Sequence, residues 1–283
     1  MTYLDVTRIR TLAAALGLRP SKGRGQNFLF DANTIRRIVN LADVQPGDTV
    51  LEIGPGLGSL TVGLLHTSAR VVAVEIEPAL ARQLPLTMAE LASDKVDHLT
   101  VVEADALKLT GHEPGWPAGT PTTLVANLPY NIAVPVLLHV LATFPTITRG
   151  LVMVQLEVAD RLVAPPGSRV YGVPSAKLAW YAAATRVGTV PPTVFWPAPN
   201  VESGLVRFER RDPPRAERVA TFSLIDASFS QRRKMLRSVL GSRYGAGAVP
   251  ALLAAGIAPE ARGETLSVED FARLSAYLPG NTD

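Results

Sequence analysis

Three glycines, Gly54, Gly56 and Gly58, alternate with other residues in V-L-E-I-G-P-G-L-G at 50–58. Such a turn lays bare backbone against a ligand. Dinucleotide sites favour G-x-G-x-x-G, with the pyrophosphate on the following helix N-terminus. Here the third glycine comes one position sooner, and Glu52 stands beside the loop. A carboxylate there repels a pyrophosphate and favours a cation. S-adenosyl-L-methionine, with a sulfonium, an amino group and no phosphate, meets that requirement. Glu75 closes R-V-V-A-V-E, 21 positions after Gly54. It suits an acid that accepts both ribose hydroxyls.

A second constellation is Asn127-Leu128-Pro129-Tyr130. Asn supplies a side-chain carbonyl. Pro fixes φ and removes a backbone donor, which leaves the preceding carbonyl free to accept. Tyr130 offers a flat face. Two acceptors and one aromatic suit the exocyclic amine of a purine, whereas the bare string could equally be an ordinary turn. Asp105 in E-A-D-A at 103–106 could accept from an adenine amino group or could cap a helix. Gln26-Asn27-Phe28-Leu29 could form a lid over the glycine loop. Phe195 and Trp196 sit in P-P-T-V-F-W-P-A-P at 191–199, which reads as too proline-rich for regular structure, with Trp196 expected to pack on the core.

These residues need a scaffold that delivers strand ends to one edge. β-branched apolar runs predict strands at 48–53, 70–74, 98–102, 121–126, 151–154, 185–190 and 203–208. Helical patterns fall between them, at 57–66, 78–91, 132–144, 157–163 and 175–181, preceded by helices at 2–16 and 33–41, the latter capped by Asp31. Strand, glycine turn, helix is half of a βαβ nucleotide-binding unit. The fold class expected is therefore α/β. Lys108–Thr120 reads as a surface loop. Arg210-Arg211-Asp212-Pro213-Pro214 reads as a linker that divides a catalytic domain, 1–209, from an all-α C-terminal domain, 210–283, with helices at 216–229, 231–240, 249–255 and 267–278. Ser267 with Asp270 has the spacing of a capping box.

Composition narrows the function classes. The 283-residue chain is 47% hydrophobic, enough for a sizeable core, and has no apolar run near the length of a membrane span. Thr11–Leu18 is apolar but follows Asp5 and reads as a helix rather than a signal peptide. The absence of cysteine excludes disulfides, thiolate zinc sites and a Cys nucleophile, and fits a cytoplasmic protein. Charge is uneven. Residues 1–37 hold seven Lys/Arg against two acids, and residues 207–243 hold ten against four, while the whole chain is only +3. Basic ends around an acidic middle suit a nucleic acid held by both. The densest basic run is S-F-S-Q-R-R-K-M-L-R at 228–237.

Taken in order and spacing, G-Q-N-F-L (25–29), E-I-G-P-G-L-G (52–58), V-E-I-E (74–77), A-D-A (104–106), N-L-P-Y-N-I (127–132), P-P-x-x-F-x-P-x-P (191–199) and S-F-x-Q-R-R-K (228–234) resemble the ribosomal RNA adenine N6-dimethyltransferase family, most closely its bacterial small-subunit branch. The resemblance implies a Rossmann-like class I S-adenosylmethionine-dependent methyltransferase domain with a mixed sheet. It implies cofactor contacts at Asn27, Leu29, Gly54, Gly56, Glu75, Ile76, Asp105, Ala106 and Asn127, and catalysis by Asn127, Leu128, Pro129 and Tyr130. Tyr130 and Phe195 would sandwich the target adenine. RNA contacts are expected at Arg24, Arg232, Arg233, Lys234 and Arg237. The implied reaction dimethylates N6 of two adjacent adenosines in the 3′-terminal hairpin of 16S rRNA within an assembling 30S subunit, by a monomer with no membrane partner and no metal. The alternatives are a large-subunit methylase of the macrolide-resistance type and an assembly factor with little catalysis. Against the family pattern, Leu156 replaces a basic residue, Pro174 an apolar one, Glu77 an aspartate, and N-V-E-S at 200–203 the usual K-V-D-S.

Overall fold

The computed structural model describes residues 2–18, 27–67 and 69–278. The strands are β1 (Phe28–Leu29), β2 (Thr49–Ile53), β3 (Arg70–Glu75), β4 (Leu99–Glu103), β5 (Thr123–Asn127), β6 (Arg149–Gln155), β7 (Ala182–Val190), β8 (Phe195–Trp196) and β9 (Ser203–Arg210). Seven of them form one sheet in the order β4-β3-β2-β5-β6-β9-β7. Pairings from β4 through to β6 are parallel, and β9 runs antiparallel to β6. The expected mixed α/β sheet is thus present. Strands β1 and β8 pair separately, Phe28 with Trp196 and Leu29 with Phe195, so the proline-rich segment does carry regular structure. Phe195 and Trp196 lie between Pro192 and Pro197 and are not prolines themselves, which leaves their N–H groups available for the ladder.

Among the described residues, helices α1 (Val6–Ala15), α2 (Ala32–Ala42), α3 (Ser59–Leu65), α4 (Pro78–Leu91), α5 (Ala133–Thr143), α6 (Leu156–Leu162) and α7 (Val173–Tyr181) accompany the sheet in sequence. Asp5 caps α1, accepting from Arg8 N at 2.8 Å, and Asp31 caps α2, accepting from Thr34 N at 2.6 Å. The strands are buried on both faces, as parallel strands between helices must be. Val50, Val71, Ala73, Val125 and Leu151 join Ile35, Ile38, Leu60 and Leu64 in one cluster, and the alternate residues Leu51, Val72, Leu124 and Val152, buried as deeply, face the other way. None of these helices, nor those that follow, is long and apolar enough to cross a membrane.

The chain forms two compact units, Met1–Ala159 with Thr185–Arg210, and Asp160–Ala184 with Arg211–Asp283. The single cut expected at 209/210 therefore needs correction, because Asp160–Ala184 belongs with the C-terminal helices. Its Ala164, Tyr171 and Ala176 share a core with Leu224, Leu240, Leu252 and Phe271. Tyr171 donates to Leu266 O at 2.8 Å, and Lys177 Nζ lies 2.7 Å from Asp226 Oδ1.

The second unit carries α8 (Arg218–Ser230), α9 (Leu236–Tyr244), α10 (Ala248–Ala254) and α11 (Val268–Ser275). Ser267 and Asp270 form the expected capping box on α11. The helix expected over 231–240 begins only at Leu236, since Gln231–Lys234 is a turn. Arg232 fastens that turn: Nε donates to Glu264 Oε2 at 2.7 Å and Nη2 to the Arg169 carbonyl at 2.6 Å.

Gly150, at the buried start of β6, has no space for a side chain; a Cβ would stand 2.3 Å from the Leu124 carbonyl. Gly150→Ala should destabilise the first unit by about 1–3 kcal/mol, read as a lowered denaturant midpoint. Arg232→Ala should lower the second unit's melting midpoint, and Arg233→Ala, at an exposed position, should leave it within error.

Candidate active site

The parallel register brings the carboxyl ends of β2, β3 and β5 to one edge of the sheet, where open α/β sheets bind ligands. The loop after β2 takes the conformation that its glycines allow, with φ of 67° at Gly54, 59° at Gly56 and 99° at Gly58. At Gly56 there is a second constraint, since a Cβ would meet the Phe28 ring at 3.1 Å. Gly54 N donates to the Val74 carbonyl at 2.9 Å, which ties the loop to β3. Glu75 completes the tie. One carboxylate oxygen accepts from Gly56 N at 3.1 Å and the other from Glu77 N at 3.0 Å. Burial raises the Glu75 pKa, and these backbone donors oppose the shift.

One pocket opens here. It brings together Asn27, Leu29, Gly54, Gly56, Glu75, Ile76 and Asn127-Leu128-Pro129-Tyr130, all expected from the sequence to serve the site. Ile76 is 65% exposed, a bare apolar surface at the pocket rim. The Asn127 side chain donates from Nδ2 to the Asn27 carbonyl at 3.4 Å, so Oδ1 is the atom left to accept. Leu128 N donates to Met153 O at 3.0 Å, which anchors the tetrad to β6. The Pro129 ring lies 3.8 Å from where a Gly54 side chain would begin. Tyr130 exchanges a hydrogen bond of 2.8 Å with Ser203 on β9, and burial raises its pKa.

Glu52 lies deeper in the same pocket, 1% exposed. Burial pushes its pKa up to about 8; the nearby Thr61 hydroxyl opposes the shift and the charge of Glu75 adds to it. The acid expected to attract a cation by standing charge is therefore mostly protonated in the ligand-free pocket at neutral pH. The pocket lining still holds two carboxylates and no Lys, Arg or His among the described residues. With glycine backbone at its centre, it fits a ligand carrying positive charge and suits a phosphate poorly.

Other expected site residues lie elsewhere. Asp105 and Ala106 do not line the pocket. Asp105 instead caps a short 3-10 turn, accepting from Leu107 N at 2.9 Å, which was its second reading. Phe195 is 3% exposed and joins the core cluster, because pairing with Leu29 turns its ring inward. It offers no ring face to a base in this structure. Trp196 packs near the core as expected, stacked on Phe28 with centroids 6.4 Å apart. Arg24, with Gly25 and Gln26 of the lid motif, lies outside the described residues. Of the remaining expected RNA contacts, Arg232 is committed to the Glu264 clamp and Arg237 Nη1 lies 2.9 Å from Glu260 Oε1, whereas Arg233 and Lys234 are exposed. Phe28 and Ser203 join the site without having been singled out. Both lay inside quoted motifs, but the pairing of Ser203 with Tyr130 has no local signal, since only the fold brings the two together.

Residues 19–279 match the family model described as ribosomal RNA adenine dimethylase. A ribosomal RNA small subunit methyltransferase A from Cutibacterium acnes is 58% identical, with 97% of this chain and 94% of the relative aligned. A protein of the same name from Kineococcus radiotolerans is also 58% identical, over 99% and 93%. Among solved structures, a dimethyladenosine transferase from Plasmodium falciparum superposes with a TM-score of 0.71 at 22% identity, over 87% of this chain and 95% of that one, which supports the fold. The 23S rRNA methyltransferase ErmE gives a TM-score of 0.63 at 29% identity, over 89% and 99%. A match over nearly the full length is shared with these relatives, and the chain belongs to the ribosomal RNA adenine dimethylase family.

Proposed function

We propose that the protein transfers methyl groups from S-adenosyl-L-methionine to N6 of adenosine in small-subunit ribosomal RNA, acting twice on each of two adjacent adenosines in the 3′-terminal hairpin of 16S rRNA. The observation that carries this reading is the single pocket in which Asn127-Leu128-Pro129-Tyr130 meets the glycine loop and two carboxylates. The small-subunit substrate is supported by relatives at 58% identity, twice the 29% shared with the large-subunit enzyme.

When bound, S-adenosyl-L-methionine supplies an electrophilic methyl on a positively charged sulfur. The pocket's Gly54, Gly56, Glu75 and Ile76 would hold it. The target amine is a poor nucleophile because its lone pair is delocalised into the ring. Asn127 Oδ1 and the Leu128 carbonyl accept its two hydrogens, which favours a tetrahedral nitrogen with a free lone pair. That is positioning combined with preorganised electrostatics. Transfer would form the bond from N6 to the methyl as the cofactor's methyl–sulfur bond breaks, with the proton on nitrogen passing to water. A monomethylated nitrogen keeps one hydrogen, so one of the two acceptors suffices for the second round. Tyr130, held by Ser203, presents its ring to the flipped base, a contact worth on the order of 1–3 kcal/mol.

The basic turn of the second unit would hold the phosphate backbone through Arg233 and Lys234. The protein acts during subunit assembly as a monomer, and in this reading the first unit, Met1–Ala159 with Thr185–Arg210, carries catalysis and the second unit the RNA contacts.

Labelled S-adenosyl-L-methionine incubated with unmethylated small subunits and, separately, with large-subunit RNA tests the reading. Dimethyladenosine in small-subunit RNA alone is expected; label in the large-subunit RNA would move the protein to the other branch. Asn127→Ala should abolish transfer while cofactor affinity stays within about tenfold, roughly 1.4 kcal/mol, by calorimetry. Lys234→Ala should weaken RNA binding and reduce the slope of log K against log salt by about one.

A further inference from the structure

Glu52 is the acid of the pocket that the mechanism above does not use. It sits on β2 facing α3, almost wholly buried yet on the pocket lining. Its Oε2 has no well-formed hydrogen bond, and neither has the Thr61 hydroxyl on α3, whose weak approach to Glu52 only partly opposes the effect of burial. The charged group that faces it is another acid, Glu75, from β3. The two acids differ in support: Glu75 takes a backbone N–H on each oxygen, and Glu52 has an orphaned one. Tyr130 lines the same pocket as a neutral phenol, its pKa raised further by burial. A buried polar atom left without a partner inside a ligand pocket marks the place where a ligand's polar group belongs.

We propose that Glu52 gives up its proton as the cofactor enters, so that binding exchanges a buried proton for the cofactor's positive charge. The inference rests on the S-adenosyl-L-methionine reading above. Burial in the ligand-free pocket holds the acid at about 8, so at neutral pH it enters the exchange protonated. An incoming cation supplies the counter-charge that neither Thr61 nor Glu75 can give, and draws the acid back toward the ordinary carboxylate range. Two centres on the cofactor could be that cation, the sulfonium or the ammonium. The first is lost on methyl transfer and the second is kept. If Glu52 answers to the sulfonium, transfer leaves an unbalanced buried carboxylate, which takes up a proton and loosens the spent cofactor.

The folded, ligand-free protein holds this proton over a range where the unfolded chain, ionising near 4.5, has released it. Its stability contribution is therefore greatest below that value and is lost as pH rises toward about 8. Glu52→Gln should flatten that window.

The deciding measurement is calorimetric titration of the full-length protein at about pH 6.5, below the range in which an α-amino group titrates, in buffers of low and high ionisation enthalpy. The dependence of heat on buffer counts protons. Wild type should release roughly one proton for each S-adenosyl-L-methionine bound, and its affinity should rise by up to about tenfold per pH unit approaching neutrality. Glu52→Gln, and Glu52→Met as a second neutral variant, should release none. Release with S-adenosyl-L-methionine but not with S-adenosyl-L-homocysteine identifies the sulfonium as the partner, and release with both identifies the ammonium; either upholds the exchange. Binding without proton release in wild type, or equal release in wild type and the neutral variants, overturns it. Failure of wild type to bind S-adenosyl-L-methionine at all strikes the cofactor reading itself, and this inference with it.

Discussion

The whole site depends on a parallel register. Ile53 sits beside Val74, Val74 beside Val102 and Asn127 beside Met153, so the strands β2 to β6 end together on one edge. At that edge the backbone must change direction, and each change is used. Glycines with positive φ turn the chain after β2, Glu75 reaches back from β3 to take Gly56 N, and Pro129 closes the turn after β5 beside Gly54. None of these groups lies near another in sequence. A one-residue slip in any pairing would turn Glu75 or Asn127 to the opposite face of the sheet and dissolve the pocket.

Electrostatics then decide what the pocket can hold. A helix N-terminus behind a glycine loop is a generic anion site, and in dinucleotide enzymes that is its use. Here two buried acids, with no lining base among the described residues, reverse the preference. The pocket carries a conflict between burial and charge at Glu52, and a cationic ligand resolves it. Such conflicts cost stability in the empty protein and recur where function demands them.

How much was legible beforehand follows the same physics. Elements with a strong period, the glycine turn and the two capping residues Asp31 and Ser267 were readable because each is determined by its own neighbours. Asn27, Glu75 and Asn127 could be named because they sit inside short strings attached to strand ends. What could not be read depends on distant partners. Phe195 looks like an exposed aromatic on a stiff loop until Leu29, far off in sequence, supplies the strand that turns it inward. Asp160–Ala184 reads as more of the catalytic domain until Tyr171 finds Leu266. Arg232 cannot be told from Arg233 in the string R-R-K, yet one is a clamp and the other a free surface cation, because only the first meets Glu264.

The small ladder of β1 and β8 joins two stretches with different duties. Asn27–Leu29 lines the pocket, and the chain beyond the proline-rich segment runs on to Ser203, which holds Tyr130. Backbone hydrogen bonds make the two a single mechanical part. Exchange of the proline-rich segment between relatives would therefore also be an exchange of the cofactor wall's support, and the two would have to be grafted together. Chimeras cut within this family are best divided outside residues 27–203, so that wall and loop travel as one piece.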